Sequence, residues 1–162
     1  SMNGALTIGT LDGANVEMRE QVGDDNIFIF GLETPQVAAL RRSGYQPRAY
    51  LEKNAEMKRA LEQIRDGAFS PGEPDRHHQI YDTLVNWGDH YMLLADYEAY
   101  VAAQDRTDEL FPLADAWARK AILNVAGMGP FSSDRTIAQY AHEIWHTPPV
   151  KLPAATRPFS HL

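Results

Sequence analysis

Five consecutive residues near the C-terminus, His142-Glu143-Ile144-Trp145-His146, match the pattern H-E-x-x-H. On a helix, histidines four apart share a face and can ligate zinc, while the intervening glutamate serves as general base. Pro148-Pro149 follow almost at once, so little helix is left to support such a site, and no third ligand stands at a recognisable spacing. His146 is equally well explained as a cation placed favourably at a helix C-terminus. His77-His78 form a second candidate metal pair. Neighbours on a helix point in different directions, however, which suits solvated or capping roles better. Lys58 and Lys120 are candidate Schiff-base amines, but each sits in a charged helical pattern that reads as an exposed face. Gly4, Gly9 and Gly13, with Asp12, could cradle a phosphate. Their spacing is neither a dinucleotide fingerprint nor a P-loop, and a strand exit followed by a turn accounts for them. Tyr97, Tyr100, Tyr140 and Trp145 could stack on sugar rings, but aromatics at helical spacing are more often core.

The elements that must carry these residues alternate at first. Ala5–Thr10 is short and β-leaning, with Leu6 and Ile8 on one face. Asp12-Gly13 signals a turn, and Asp12 is placed to cap a helix over Ala14–Val22 that Gly23 stops. Ile27–Phe30 is a continuous apolar run, the pattern of a strand covered on both faces. Thr34-Pro35 supplies an N-cap and a first-turn proline for a helix ending near Ser43, with Gly44 as its stop. This β-α-β-α order over about 5–44 is the grammar of a parallel sheet with helical crossovers, an α/β fold.

From residue 47 to 146 the pattern is mainly helical. Helices are expected over Lys53–Asp66, Pro74–Trp87 with Ile80, Leu84 and Trp87 aligned, Asp96–Arg106 with Tyr97, Tyr100 and Val101 inward, and Pro112–Ala126 with Ala118, Ile122 and Val125 inward. Tyr91–Ala95 reads as a short strand. Ser133 is expected to cap a last helix whose stripe of Ile137, Tyr140, Ala141, Ile144 and Trp145 faces inward. The stretch 147–162 holds four prolines and reads as extended or flexible.

Two or three strands make a poor sheet alone, because a parallel pair needs neighbours on its edges and faces. The chain therefore reads as part of a domain that self-associates when isolated. Its 162 residues, 44% hydrophobic and 23% charged, are ordinary for a globular protein. A formal net charge of −7 argues against non-specific binding to nucleic acid or to anionic membrane. The lack of cysteine excludes disulfides and thiolate metal sites and fits a reducing compartment. No apolar run is long enough to span a bilayer, and there is no signal-peptide pattern.

One string ties these pieces together. Asn3-Gly-Ala-Leu-Thr-Ile-Gly-Thr-Leu-Asp-Gly-Ala-Asn-Val-Glu17 resembles the glycogen (α-glucan) phosphorylase family at the point just after its cofactor lysine. Met2-Asn3 matches the last two positions of that family's lysine signature. Further matches follow in order: Asn26–Gly31, Gly67–Pro71, Ala95–Val101, Trp117–Asn124, Phe131–Ala141 and Glu143-Ile-Trp145.

The resemblance implies a partial Rossmann-like segment, the C-terminal part of the GT-B cofactor domain over 1–146, most of whose strands are contributed by sequence upstream of Asn3. It implies a parent that moves a glucosyl unit from α-1,4-glucan to phosphate, giving glucose 1-phosphate. Pyridoxal phosphate is the parent's cofactor, and its phosphate takes part in proton transfer. The cofactor lysine would lie two residues before Ser1. The resemblance thus leaves no catalytic residue in this chain, only Asn3 beside the cofactor, able to donate and accept hydrogen bonds there. It also implies a cytoplasmic location and no activity or bound cofactor for the chain alone. Two other readings remain: a stand-alone interaction module, and a zinc hydrolase using His142 and His146.

Overall fold

A computed structural model describes residues 1–148 and 150, so most of the expected extended tail lies outside the described residues. The chain divides into two compact units, Ser1–Gly127 and Met128–Leu162.

The first unit opens on the expected alternation. Strand β1 (Ile8–Thr10) leads into helix α1 (Ala14–Val22), and strand β2 (Phe28–Phe30) into helix α2 (Thr34–Arg42). The strands run parallel, with Ile8 opposite Phe28, Gly9 opposite Ile29 and Thr10 opposite Phe30. They form a two-stranded sheet, so the α/β reading holds at that level, with a helical remainder. The strands are shorter than expected and only half-buried, because a two-stranded pair has too little covering it to seal both faces of Phe28–Phe30. Gly13, not Asp12, occupies the cap of α1. Glu33 takes the cap expected of Thr34; its N–H donates to Oε1 of Gln36 at 2.7 Å, half of a reciprocal capping arrangement.

The helical part departs further from the periodicity. Helix α3 (Pro47–Lys53), absent from the expected elements, precedes helix α4 (Ala55–Arg65); Lys53, expected to start the second, ends the first, and the two are separated by Asn54. Its Oδ1 accepts from the Met57 N–H at 2.9 Å, an N-cap that starts α4 afresh. The expected helix Pro74–Trp87 is three pieces: a 3₁₀ turn at Pro74–His77, the short α5 (His78–Tyr81) and a π-helical turn at Asp82–Asn86. The Trp87 N–H reaches back five residues to the Asp82 carbonyl at 2.8 Å, and Asn86 Nδ2 reaches the Asp82 carboxylate at 2.5 Å. No strand forms at Tyr91–Ala95. Helix α6 (Leu93–Leu110) begins inside that stretch because the Asp89 carboxylate accepts from the Leu93 and Leu94 N–H groups, at 3.0 and 2.8 Å. Helix α7 (Ala114–Gly127) completes the unit.

The core sits among α3, α4, α5 and α6: Leu51, Met57, Leu61, Tyr81, Val85 and Leu94, with Tyr50, Ile64, Leu84 and Tyr97 against it. α6 holds the sheet to this core. Phe30 meets Tyr100 edge to face at 5.4 Å, and the Arg106 guanidinium donates to the Ile29 carbonyl at 3.2 Å. α7 is held to the α1–β2 connection by buried Asn124, whose Nδ2 donates to the carbonyls of Asn26 at 2.7 Å and Lys120 at 3.0 Å. Several residues expected inward are exposed: Ile80, Trp87, Tyr100, Ile122 and Val125. No described helix is long and apolar enough to cross a membrane.

The second unit carries a 3₁₀ turn at Gly129–Phe131 and helix α8 (Ser133–Glu143), capped by Ser132, not Ser133. The stripe of Ile137, Tyr140, Ile144 and Trp145 is not inward; Trp145 is 54% exposed, with the Tyr140 ring edge to face at 5.9 Å as its aromatic neighbour.

Candidate functional site

The carboxyl ends of parallel strands are where open α/β sheets bind ligands, and in the first unit they open onto a cleft of about 880 Å³. Thr10 and Phe30 end the strands at its floor. Leu11 and Asp12 follow β1, Leu32 follows β2, Val37 and Arg41 project from α2, and Leu93, Asp96, Tyr97 and Tyr100 from α6. The size falls within the range of about 300–1,000 Å³ typical of ligand clefts, but the wall is mainly aliphatic.

Asp96 is the most constrained polar group there. Its Oδ1 accepts from the Leu32 N–H at 2.8 Å, tying the end of β2 to α6. Burial pushes its carboxyl above the ordinary range; the Leu32 bond opposes this and nearby Asp89 adds to it. Gly31 makes the approach possible. Its φ of +79° is a left-handed conformation, and a Cβ there would lie 2.8 Å from the Asp96 carboxylate. Arg41 donates to the His90 carbonyl at 3.2 Å across the rim.

Behind the wall lies a buried knot that sequence reasoning missed. Asp89 is 1% exposed and adopts φ +43°. Beyond its two bonds to α6, its Oδ2 accepts from the Tyr45 hydroxyl at 2.7 Å. Burial first, and that carboxylate second, push the Tyr45 phenol well above its usual value. An aspartate just ahead of an apolar helical run was the available signal, obscured by the β-like composition of Tyr91–Ala95.

The other candidates separate. Gly9 and Asp12 form a strand exit and turn. Asn15 Nδ2 donates to the Thr10 carbonyl at 2.9 Å and fills the space where a Gly9 side chain would stand. Asn3 is exposed beside a tight turn in which the Gly4 N–H meets the Ser1 carbonyl at 2.9 Å. His142 lies in the last turn of α8, but the helix ends at Glu143 and His146 stands beyond it at φ +52°. The two histidines therefore do not share a continuous helix face, and His146 Nδ1 lies 3.1 Å from the His142 carbonyl. Among the described residues no group of three His, Cys, Asp or Glu could hold a metal. His78 faces Asp75 at 3.9 Å. Lys53 and Lys58 are exposed, and Lys120 donates to the Asp25 carbonyl.

The profile for carbohydrate phosphorylases matches residues 1–147. The chain belongs to the carbohydrate phosphorylase family. It is 50% identical over 159 residues to the brain form of glycogen phosphorylase from Bos taurus, a stretch covering 94% of this chain and 19% of that protein. A Synechocystis glycogen phosphorylase is 51% identical over 150 residues, 93% of this chain and 18% of its own length. The Haemophilus influenzae glycogen phosphorylase is 48% identical over 152 residues, 94% and 18% respectively. The chain thus spans less than a fifth of the length of these relatives. Membership of the phosphorylases disfavours the zinc reading of His142 and His146.

Pyridoxal phosphate, the cofactor the family resemblance implies, requires a lysine amine within reach. No lysine lines the cleft, and the three described lysines are exposed or tied to a carbonyl. The described residues therefore do not form a site for an internal Schiff base.

Proposed function

We propose that this chain serves as the C-terminal part of the cofactor domain of an α-1,4-glucan phosphorylase. The observation that carries this reading is the match along residues 1–147, at about half identity to glycogen phosphorylases. The whole enzyme would transfer a glucosyl unit from glucan to phosphate. Pyridoxal phosphate would be held by a lysine outside this chain, with Asn3 beside it. The parallel pair β1–β2 would be the end of a larger Rossmann-like sheet of the GT-B type, and residues 1–146 would belong to that domain. The location would be cytoplasmic. The chain alone would neither bind the cofactor covalently nor turn over glucan. What it supplies is scaffold: a sheet-end loop fixed by Asn15, an α6 clamped by Asp89 and Asp96, and an α7 seated by Asn124.

The test is a chimera in which residues 1–147 replace the matched segment of the Haemophilus influenzae enzyme. Glucose 1-phosphate formation from glucan and phosphate is expected from the chimera and not from the isolated chain. A folded chimera without phosphorolysis would overturn the reading.

A further inference from the structure

Six asparagines occur in the chain, and five have the side-chain amide held. Asn15 Nδ2 donates to the Thr10 carbonyl, and Asn26 Nδ2 to the Val22 carbonyl. Asn54 Oδ1 caps α4, Asn86 lies between Asp82 and Arg48, and Asn124 seats α7. Each of these five is followed by a residue that bears a side chain. Asn3 differs on every count. It is exposed, no hydrogen bond among the described residues holds its amide, and the next residue is Gly4. Gly4 presents its backbone nitrogen without a Cβ to shield it and stands at φ +87°, in the left-handed region that favours glycine. Its N–H donates to the Ser1 carbonyl at 2.9 Å. A single bond in an exposed turn opens at little cost.

We propose that Asn3-Gly4 is a site of spontaneous covalent modification, at which the Asn3 amide becomes aspartate and isoaspartate through a cyclic imide. Hydroxide removes the Gly4 amide proton, and the nitrogen attacks Cγ of Asn3. The bond from Cγ to Nδ2 breaks. Nδ2 leaves as ammonia after taking a proton from water, which returns the hydroxide. Water then adds to either carbonyl of the imide and breaks its bond to nitrogen. Addition at Cγ gives aspartate with the original backbone. Addition at the Asn3 main-chain carbonyl gives isoaspartate, whose backbone runs through the side chain. One water is consumed and one ammonia released, with no change of oxidation state. The formal net charge of −7 becomes one unit more negative, just ahead of β1.

Two further pairs place glycine after an acid, Asp12-Gly13 and Asp66-Gly67. They close the same ring only by expelling water from a protonated carboxyl, the minor form of an aspartate at neutral pH. Arg65 also occupies both Asp66 oxygens, at 2.7 and 3.1 Å. Asn3 therefore leads. This chemistry does not depend on the proposed enzymatic role, so failure of either leaves the other standing.

The test is incubation of the 162-residue chain in mildly alkaline buffer, followed by proteolysis and mass spectrometry with fragmentation that locates each change and separates isoaspartate from aspartate. A synthetic peptide of residues 1–10 serves as the unfolded reference. Asn3 is expected to convert several-fold faster than any of the other five asparagines, at a rate proportional to hydroxide, with isoaspartate the larger product. Asn3→Gln should suppress the reaction at an unchanged melting temperature, because glutamine needs a larger ring. Gly4→Ala should slow it several-fold in the peptide as well as in the chain, so a change of fold does not account for the effect. An Asn3 that stays intact in the chain while the peptide converts would overturn the proposal, by showing that the bond to Ser1 keeps the turn shut. Conversion led by another asparagine would overturn it too, as would aspartate without isoaspartate, the mark of direct hydrolysis.

Discussion

At the scale of residues, the buried polar groups carry the fold's specificity. Asp89 satisfies three donors at once: two helix N–H groups and a phenol. Removing it leaves all three without a partner in a dry site. Asp89→Ala should therefore cost about 3 kcal/mol or more of stability, read by urea denaturation; a loss below about 1 kcal/mol would show that water replaces the carboxylate. Gly31→Ala combines a left-handed backbone with a Cβ driven against Asp96 and should cost about 1–3 kcal/mol. Asp96 adds a pH signature. Its folded pKa is raised, chiefly by burial, so its contribution is fully present below the ordinary carboxylate range and is lost as pH rises through the raised value. Stability of the wild type relative to Asp96→Asn should rise on acidification, and a difference independent of pH would contradict the assignment. Trp145 illustrates a reversal. Its place on the apolar stripe of α8 argues for burial and a loss of several kcal/mol on truncation. At 54% exposure, Trp145→Ala in the isolated chain should instead cost about 1 kcal/mol, mostly through the Tyr140 contact.

At the scale of elements, what could be read from sequence was local. α1 and α2 were legible because Gly23, Pro35 and Gly44 punctuate them, and β2 because Ile27–Phe30 is an uninterrupted β-branched and aromatic run. The Gly9–Asp12 turn followed from the same local chemistry. What failed was decided by distant partners or by the absence of any. The start of α6 depends on Asp89, itself held by Tyr45 more than forty positions away in sequence. The start of α4 at Ala55, two positions past the expected one, depends on the Asn54 side-chain cap. The inward faces assigned to α7 and α8 followed from apolar spacing, which reports that a face is to be covered but not that this chain covers it. Of the candidate site, Asp12 and the Tyr97–Tyr100 pair were visible as residues. The cleft was not, because it needs β1, β2, α2 and α6 together.

At the scale of the molecule, the exposed apolar side chains and the small two-stranded sheet fit the proposal that the chain is part of a larger phosphorylase domain. The parallel pair keeps open edges, and Ile122 and Val125 stand exposed along α7. Open edges and apolar faces drive association. Light scattering should therefore find the isolated chain self-associated at micromolar concentration and dispersed on dilution; a monomer at all concentrations would show that these surfaces are tolerated in water. If the chain furnishes scaffold for a phosphorylase cofactor domain but not the cofactor's lysine, borohydride reduction of the chimera loaded with pyridoxal phosphate, followed by peptide mapping, should find one reduced adduct, on a lysine of the Haemophilus influenzae part, and none in the isolated chain treated in the same way. A stoichiometric adduct on Lys53, Lys58, Lys120 or Lys151, in either protein, would show instead that this chain holds the cofactor.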